Sequence, residues 1–294
     1  MKNLLFILYA FLPMMAAAQN VVTVEQAGTL EEQVSNLGLL DATNLTIAGE
    51  LNGTDILFLR SLLTDGTGVK QRNLTILDLS DVKIVEGGSS YVKFSVGSDT
   101  SEGCACYTRT DELGEYMFYG CETLSSVVLP RSVKSIGERC FAGALALTSI
   151  DVPVGVRRIG SQAFAVCSQL ETVVLPSTLL SIDAWAFEDC PNLRRVFLSA
   201  SVPPSFGFQS FSTPADCQLV LSARLSQEVV GYYEQADGWK TFGEIKQDAA
   251  PASLGSLPTA SSPTASEDEY LLSGVKAVAT SKGIRIAGNR KFIK

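Results

Sequence analysis

Three features of the sequence predict a solenoid of stacked α/β coils. Four 23-residue segments follow without a gap, LGEYMFYGCETLSSVVLPRSVKS from Leu113, IGERCFAGALALTSIDVPVGVRR from Ile136, IGSQAFAVCSQLETVVLPSTLLS from Ile159 and IDAWAFEDCPNLRRVFLSASVPP from Ile182. Stacked at that spacing they align apolar columns: Phe118, Phe141, Phe164 and Phe187; Leu124, Leu147, Leu170 and Leu193; Val127, Ile150, Val173 and Val196. Leu129, Val152, Leu175 and Leu198 add a fourth column, with Val133, Val156, Leu179 and Val202 behind it. An L-x-x-(L/V)-x-L core repeating every roughly 20–29 residues is the signature of a leucine-rich-repeat solenoid. One such coil cannot bury its apolar side alone and hides it against the next. The expected fold is therefore a leucine-rich-repeat solenoid of α/β repeats in 23-residue coils, spanning residues 74–204, with four regular repeats at 113–204.

Taken in order, residues 1–18 read as an export signal: Lys2, then the apolar stretch Leu4 to Met15, then Ala16-Ala17-Ala18 before Gln19. The apolar run is too short for a membrane anchor. The mature chain is expected at the cell surface or secreted, with no transmembrane anchor. Residues 19–73 read as an α/β N-terminal cap. Thr29 with Glu32 is a capping box for a helix over Leu30, Val34 and Leu37. Asn44 to Ile47 alternates like a strand, and Thr54 or Asp55 caps a second helix carrying Ile56, Leu57, Leu59, Leu62 and Leu63. Leu74 to Leu79 is the first coil strand. The irregular coil at 86–112 is rich in Gly, Ser and Thr with Tyr91, Phe94 and Tyr107 interspersed, and is expected as a loop excursion. Residues 205–247 read as a strand–helix cap, with a strand over Cys217 to Leu221 and a helix over Leu225 to Glu234. Trp239, Phe242 and Ile245 seal the core there. Residues 248–269 are a Pro/Ser/Ala-rich linker, and 270–294 form a short tail.

Composition excludes several chemistries. The chain has no histidine, so no imidazole triad or imidazole metal site exists within it. A net charge of −8 argues against a nucleic-acid binder. No cofactor, metal or catalytic residue is expected. Cys121, Cys167 and Cys190 share one repeat position with Ala144, which points to buried thiols, although Cys167 and Cys190 lie close enough in the stack to bridge. Cys104 and Cys106, in GCACY, lack further metal ligands nearby.

Alternation along the coil strands leaves two columns facing outward. One holds Val128, Asp151, Val174 and Phe197; the other holds Ser126, Ser149, Thr172 and Arg195. Val128, Asp151, Val174, Phe197, Thr172 and Arg195 are accordingly the candidate ligand-contact residues. Lys134 and Arg157, with Arg131 and Arg158 beside them, make a small basic edge.

The sentence L-x-x-V-x-L-P-x-S-V-x-x-I-G-x-x-A-F-x-x-C resembles the BspA-like leucine-rich-repeat proteins of host-associated bacteria, most closely over Leu113 to Pro204. LTIAGELNGTD, LTILDLSD and the closing LVLSARLSQEVVGYYEQADGWKTF are similar to the same family, whereas Ser199 replaces the repeat proline of Pro130, Pro153 and Pro176. The resemblance implies a non-enzymatic surface or secreted protein that binds host extracellular-matrix or bacterial surface proteins. The tail looks like a truncated type IX sorting domain. Two rival readings are an architectural envelope component and a carbohydrate-acting enzyme using Asp183, Glu188 and Asp189.

Overall fold

In the computed structural model of the chain, residues 20–64, 73–96, 99–212 and 217–248 are described. The expected export signal, and the linker and tail beyond Asp248, lie outside them, as do the side chains of Phe94 and Cys104.

Strands β1 (Val21–Val24), β2 (Asn44–Leu51) and β3 (Ile76–Ile84) pair in parallel, with helices α1 (Leu30–Asn36) and α2 (Gly53–Leu63) in the connections. Asp55, fully buried, ties these elements together. Its carboxylate accepts the N–H groups of Gly28 (2.6 Å), Leu30 (2.9 Å) and Asn52 (2.9 Å). Three backbone donors that lack intrahelical partners are thereby satisfied by one side chain. Asn52, rather than Thr54 or Asp55, is the N-cap of α2, accepting from the Thr54 N–H while Asp55 returns the bond. The expected Thr29–Glu32 box does not form. The Thr29 hydroxyl donates to the Gln26 carbonyl at 2.8 Å, and Asp55 takes the start of α1 instead. Leu37 and Leu57, expected on apolar helix faces, are exposed.

Residues 86–112 do not form a loop. Strands β4 (Gly87–Val96) and β5 (Asp99–Thr108) make an antiparallel ribbon. Tyr91 anchors its base: the ring is buried and its hydroxyl donates to the Glu115 carbonyl at 2.9 Å. Val92, Phe94 and Val96 alternate with Lys93 and Ser95, so a two-residue period was present, within a stretch whose Gly, Ser and Thr content reads as loop.

Beyond it, short and longer strands alternate. The short ones are β6 (Glu112–Leu113), β8 (Ser135–Ile136), β10 (Arg158–Ile159), β12 (Ser181–Ile182) and β14 (Ser205–Phe206); the longer are β7 (Ser126–Val128), β9 (Ser149–Asp151), β11 (Thr172–Leu175), β13 (Arg195–Leu198) and β15 (Gln218–Ser222). The short strands stack into one parallel sheet, β6-β8-β10-β12-β14. The longer ones divide between β1-β2-β3-β7 and β9-β11-β13-β15-β16, where β16 is Glu244–Asp248. Arg158 pairs with Ser135 and Ser181, each 23 positions away, and Thr172 with Ser149 and Arg195 likewise. The parallel repeat fold and its leucine-rich strands are thus explicit.

Between the sheets runs a ladder of buried phenylalanines. Phe118, Phe141, Phe164 and Phe187 stack with centroid separations of 5.1, 5.3 and 5.1 Å. Phe211 extends the ladder at 4.6 Å from Phe187. This rung was concealed because Ser181 pairs with Ser205, an offset one residue longer than the others. The same shift moves Val202 out of its expected inward column, to 72% exposure. Helix α3 (Gln227–Gln235), capped by Ser226, places the buried Tyr233 so that its hydroxyl donates to the Ala200 carbonyl at 2.8 Å. Trp239 Nε1 donates to the Pro204 carbonyl at 2.8 Å, and its ring meets Phe206 and Tyr233 edge-on.

A central rung such as Phe164 is held on both sides, so removing it leaves a void that neither neighbour fills. Phe164→Ala is expected to lower stability by about 3–5 kcal/mol, read as a reduced denaturant midpoint; an unchanged midpoint would show the ladder to be dispensable.

Candidate functional site

The outward columns of the coil strands are the first candidate face. They are not continuous: Val128 lies in the first sheet opposite Asp78, whereas Asp151, Val174 and Phe197 stand side by side in the other. Val128, Asp151 and Val174 are partly exposed, and Arg195 is exposed. Phe197 is not, at 8% exposure, and Thr172 is only 7% exposed. Strand alternation sets the direction of a side chain but says nothing of what lies beside it. Phe197 is flanked in register by Val174 and Val220, and Val220 is itself buried. The expected solvent-facing apolar column therefore ends at Val174. The basic edge is largely neutralised, since Arg131 pairs with Asp81 and Arg158 with Asp183, while Lys134 stays exposed.

A second face, missed by the sequence reading, lies on the turns that follow the short strands. Tyr116, Arg139, Gln162 and Trp185 occupy one repeat position, and each is left-handed, with φ of 56, 50, 54 and 57°. Gln209, φ 49°, continues the column after the longer coil. Their side chains form a row. Arg139 donates to the Tyr116 hydroxyl (2.7 Å) and to Gln162 Oε1 (2.8 Å), Gln162 donates to Glu188 (3.3 Å), and Trp185 Nε1 donates to Gln209 Oε1 (3.3 Å). Two aromatic pairs bound the row, Tyr116–Tyr119 at 5.5 Å and Trp185–Phe208 at 5.8 Å, both edge-to-face. The four-copy alignment already placed Tyr116, Arg139, Gln162 and Trp185 in one column. Nothing in these residue types announces a positive φ, however, and an apolar-column search passes over them.

A neighbouring column is left-handed as well: Gly120, Gly143, Val166 and Asp189, with φ of 67, 76, 60 and 52°. Val166 is the outlier, a β-branched residue in a conformation that crowds its Cβ.

The candidate carboxylates Asp183, Glu188 and Asp189 belong to the turn face. Asp183 is held by Arg158, Glu188 accepts the Gln162 amide, and Asp189 stands exposed. Among the described residues no group of three His, Cys, Asp or Glu side chains is placed to hold a metal ion. Cys121, Cys140, Cys167 and Cys217 are free and buried, and Cys106 and Cys190 are buried as well. The Cys167 and Cys190 thiols donate to the carbonyls of Phe141 (3.3 Å) and Phe164 (3.2 Å), one coil back. Burial pushes the Cys121 thiol up to about 12 from its usual 9.0.

Residues 106–216 match the family described as BspA type leucine rich repeat region, in six copies. The chain is also similar to a leucine-rich repeat protein from Bacteroides ovatus ATCC 8483, at 15% identity and a TM-score of 0.29, over 70% of this chain and 60% of that one. A leucine rich cell surface protein from Faecalibacterium prausnitzii A2-165 matches at 16% identity and a TM-score of 0.24, over 72% of this chain and 76% of that one. No curated protein matches the chain. Among the described residues no helix is long and apolar enough to cross a membrane.

Two outcomes follow from the turn geometry and the thiols. Val166→Gly relieves the left-handed strain at an exposed site and should stabilise by about 1 kcal/mol, measured by chemical unfolding; a loss of stability would show that the valine side chain is needed. The Cys121 thiol is raised in the folded state, so its contribution is complete below about pH 9 and declines as pH climbs toward 12. The unfolding midpoint should fall over that range, and Cys121→Ala, the residue that Ala144 supplies at the same repeat position, should flatten the fall.

Proposed function

We propose that this chain, whose residues 106–216 match a BspA type leucine rich repeat region, is an exported, non-enzymatic protein that binds other proteins, acting in adhesion to host extracellular matrix or to other bacterial cells. In this reading the 23-residue coils form a closed solenoid over 74–204. Residues 19–73 and 205–247 shield its two ends, and residues 1–18 direct export to the cell surface or beyond. The observation that carries it is the side-by-side register of outward strand residues, which joins β9, β11 and β13 into one surface. Such a surface suits a broad protein interface rather than the enclosed pocket of a small-molecule enzyme. The alternative of a carbohydrate-acting enzyme would draw on Asp183, Glu188 and Asp189, of which Asp183 is engaged by Arg158 and Glu188 by Gln162. Val128, Asp151, Val174 and Arg195 are the contact residues we assign to the sheet face. Phe197 and Thr172 serve as its support.

The test is binding of the full chain to immobilised extracellular-matrix proteins and to bacterial surface extracts. Val174→Ser should leave the melting temperature nearly unchanged, within about 0.5 kcal/mol for a partly exposed strand residue, and should weaken attachment. Phe197→Ser should instead lower stability, because its ring is buried. Lys134→Glu probes the basic edge as a control. Normal attachment of the Val174 variant combined with loss in the Lys134 variant would move the binding face to that edge.

A further inference from the structure

The turn face carries a row of large side chains on left-handed backbone, each bonded through its N–H to the adjoining coil. A left-handed backbone is tolerated best by glycine, and the neighbouring left-handed column accepts it at Gly120 and Gly143. In the column of Tyr116, Arg139, Gln162 and Trp185 no coil uses glycine. Each instead holds a large planar group on a left-handed backbone, part-buried at the first three positions and exposed at Trp185. Strain retained at successive positions marks a site where the side chain itself is wanted.

The two ends of the row differ in one respect. At the first, a cation is already in place: the Arg139 guanidinium lies 5.6 Å from the centre of the Tyr116 ring, with Glu138 beside it at 4.0 Å. At the other end the aromatic pair is larger and more open. Trp185 is 37% exposed and Phe208 67% exposed. The carboxylates are present too, as Glu188 and Asp189 follow in the same turn, and Asp189 has no ion-pair partner among the described residues. What is missing is the cation: among the described residues, none lies over Trp185 or Phe208. Indole is the strongest aromatic acceptor for a cation, and guanidinium stacks on such faces better than ammonium.

We infer that the Trp185–Phe208 pair, flanked by Glu188 and Asp189, is a docking point for an arginine side chain on a basic segment of a partner polypeptide. The internal Arg139–Tyr116 contact shows the arrangement completed by the chain itself three turns' width away along the row. The overall charge of −8 adds long-range attraction for such a partner. The inference names a second face for the protein-binding reading and relies on it only for the class of partner.

The experiment is fluorescence anisotropy of a labelled oligo-arginine peptide with the full chain, repeated with oligo-lysine of equal length. Trp185→Ala and Phe208→Ala should each weaken oligo-arginine binding by about fivefold or more, although neither alters the net charge. Glu188→Gln combined with Asp189→Asn should weaken it and flatten its dependence on salt. Oligo-lysine should bind less tightly than oligo-arginine. Trp185→Asn, a residue that accepts the left-handed backbone, repeats the test if the alanine variant melts early, and Phe208 is exposed enough that its variant folds. Because Trp239 is fully buried, quenching of the exposed Trp185 emission on peptide binding reads the site directly. Equal binding by wild type and both aromatic variants would overturn the proposal, leaving only diffuse attraction to an acidic surface. So would equal affinity for the two peptides. Either result leaves the Val174 measurement untouched, so failure here is distinct from failure of the sheet face.

Discussion

Everything in this structure depends on the closeness with which one coil's backbone lies on the next. The Phe118, Phe141, Phe164 and Phe187 N–H groups donate to carbonyls one coil ahead, those of Cys140, Ala163, Ala186 and Ser210, at 2.7 to 2.8 Å. That contact sets the roughly 5 Å spacing at which the phenyl rings stack, an arrangement aromatic rings favour when offset. It also dictates the small residues between them. A Cβ on Gly160 would stand 2.8 Å from the backbone nitrogen of Glu138, and one on Gly137 would stand 2.6 Å from that of Glu115. The buried thiols obey the same geometry, filling an alanine-sized slot and donating to the carbonyls behind them. Backbone bonding, ring stacking and small-residue placement are one constraint seen at three positions of the repeat.

The constraint has to be handled where the repeats begin and finish, because a terminal coil leaves apolar surface and strand edges without a neighbour. On the N-terminal side Arg60, from α2, donates to the carbonyls of Tyr116 (3.0 Å), Met117 (3.0 Å) and Tyr119 (3.3 Å), all in the first turn of the repeats. Tyr91 does the same for Glu115. On the other side Phe211 ends the ring ladder against Phe242 and Trp239. Gly238 is left-handed there, φ 81°, and passes so near the Phe206 ring that a Cβ would fall 2.2 Å from it. Polar bonding meets the repeats on one side and aromatic packing on the other.

The two surfaces proposed for recognition differ in kind. The strand face offers β-branched and polar residues in a flat register, while the turn face offers planar groups prearranged by hydrogen bonds among themselves. Prearranged side chains surrender little freedom on binding, which suits aromatic and guanidinium contacts. The strand face is interrupted between β7 and β9, so its first coil belongs to a different sheet from the rest.

What the sequence by itself determined is the repeat. The period, the inward columns of Phe, Leu and Val, the equivalence of Cys121, Ala144, Cys167 and Cys190, and the approximate places of α2 and α3 were all legible, because burial against an identical neighbour selects the same residue type at the same position each time. Tertiary structure decided what does not repeat. Asp55 serves two helix starts at once, the Gly/Ser-rich stretch closes into a ribbon, and Val202 leaves its column because one coil is a residue longer. Phe197 is outward by alternation and yet buried, since direction is a property of its own strand and cover is a property of its surroundings. The left-handed turn column was in view in the alignment but unreadable: a positive φ on Tyr, Arg, Gln or Trp is imposed by the bond to the adjoining coil, and no residue name records it.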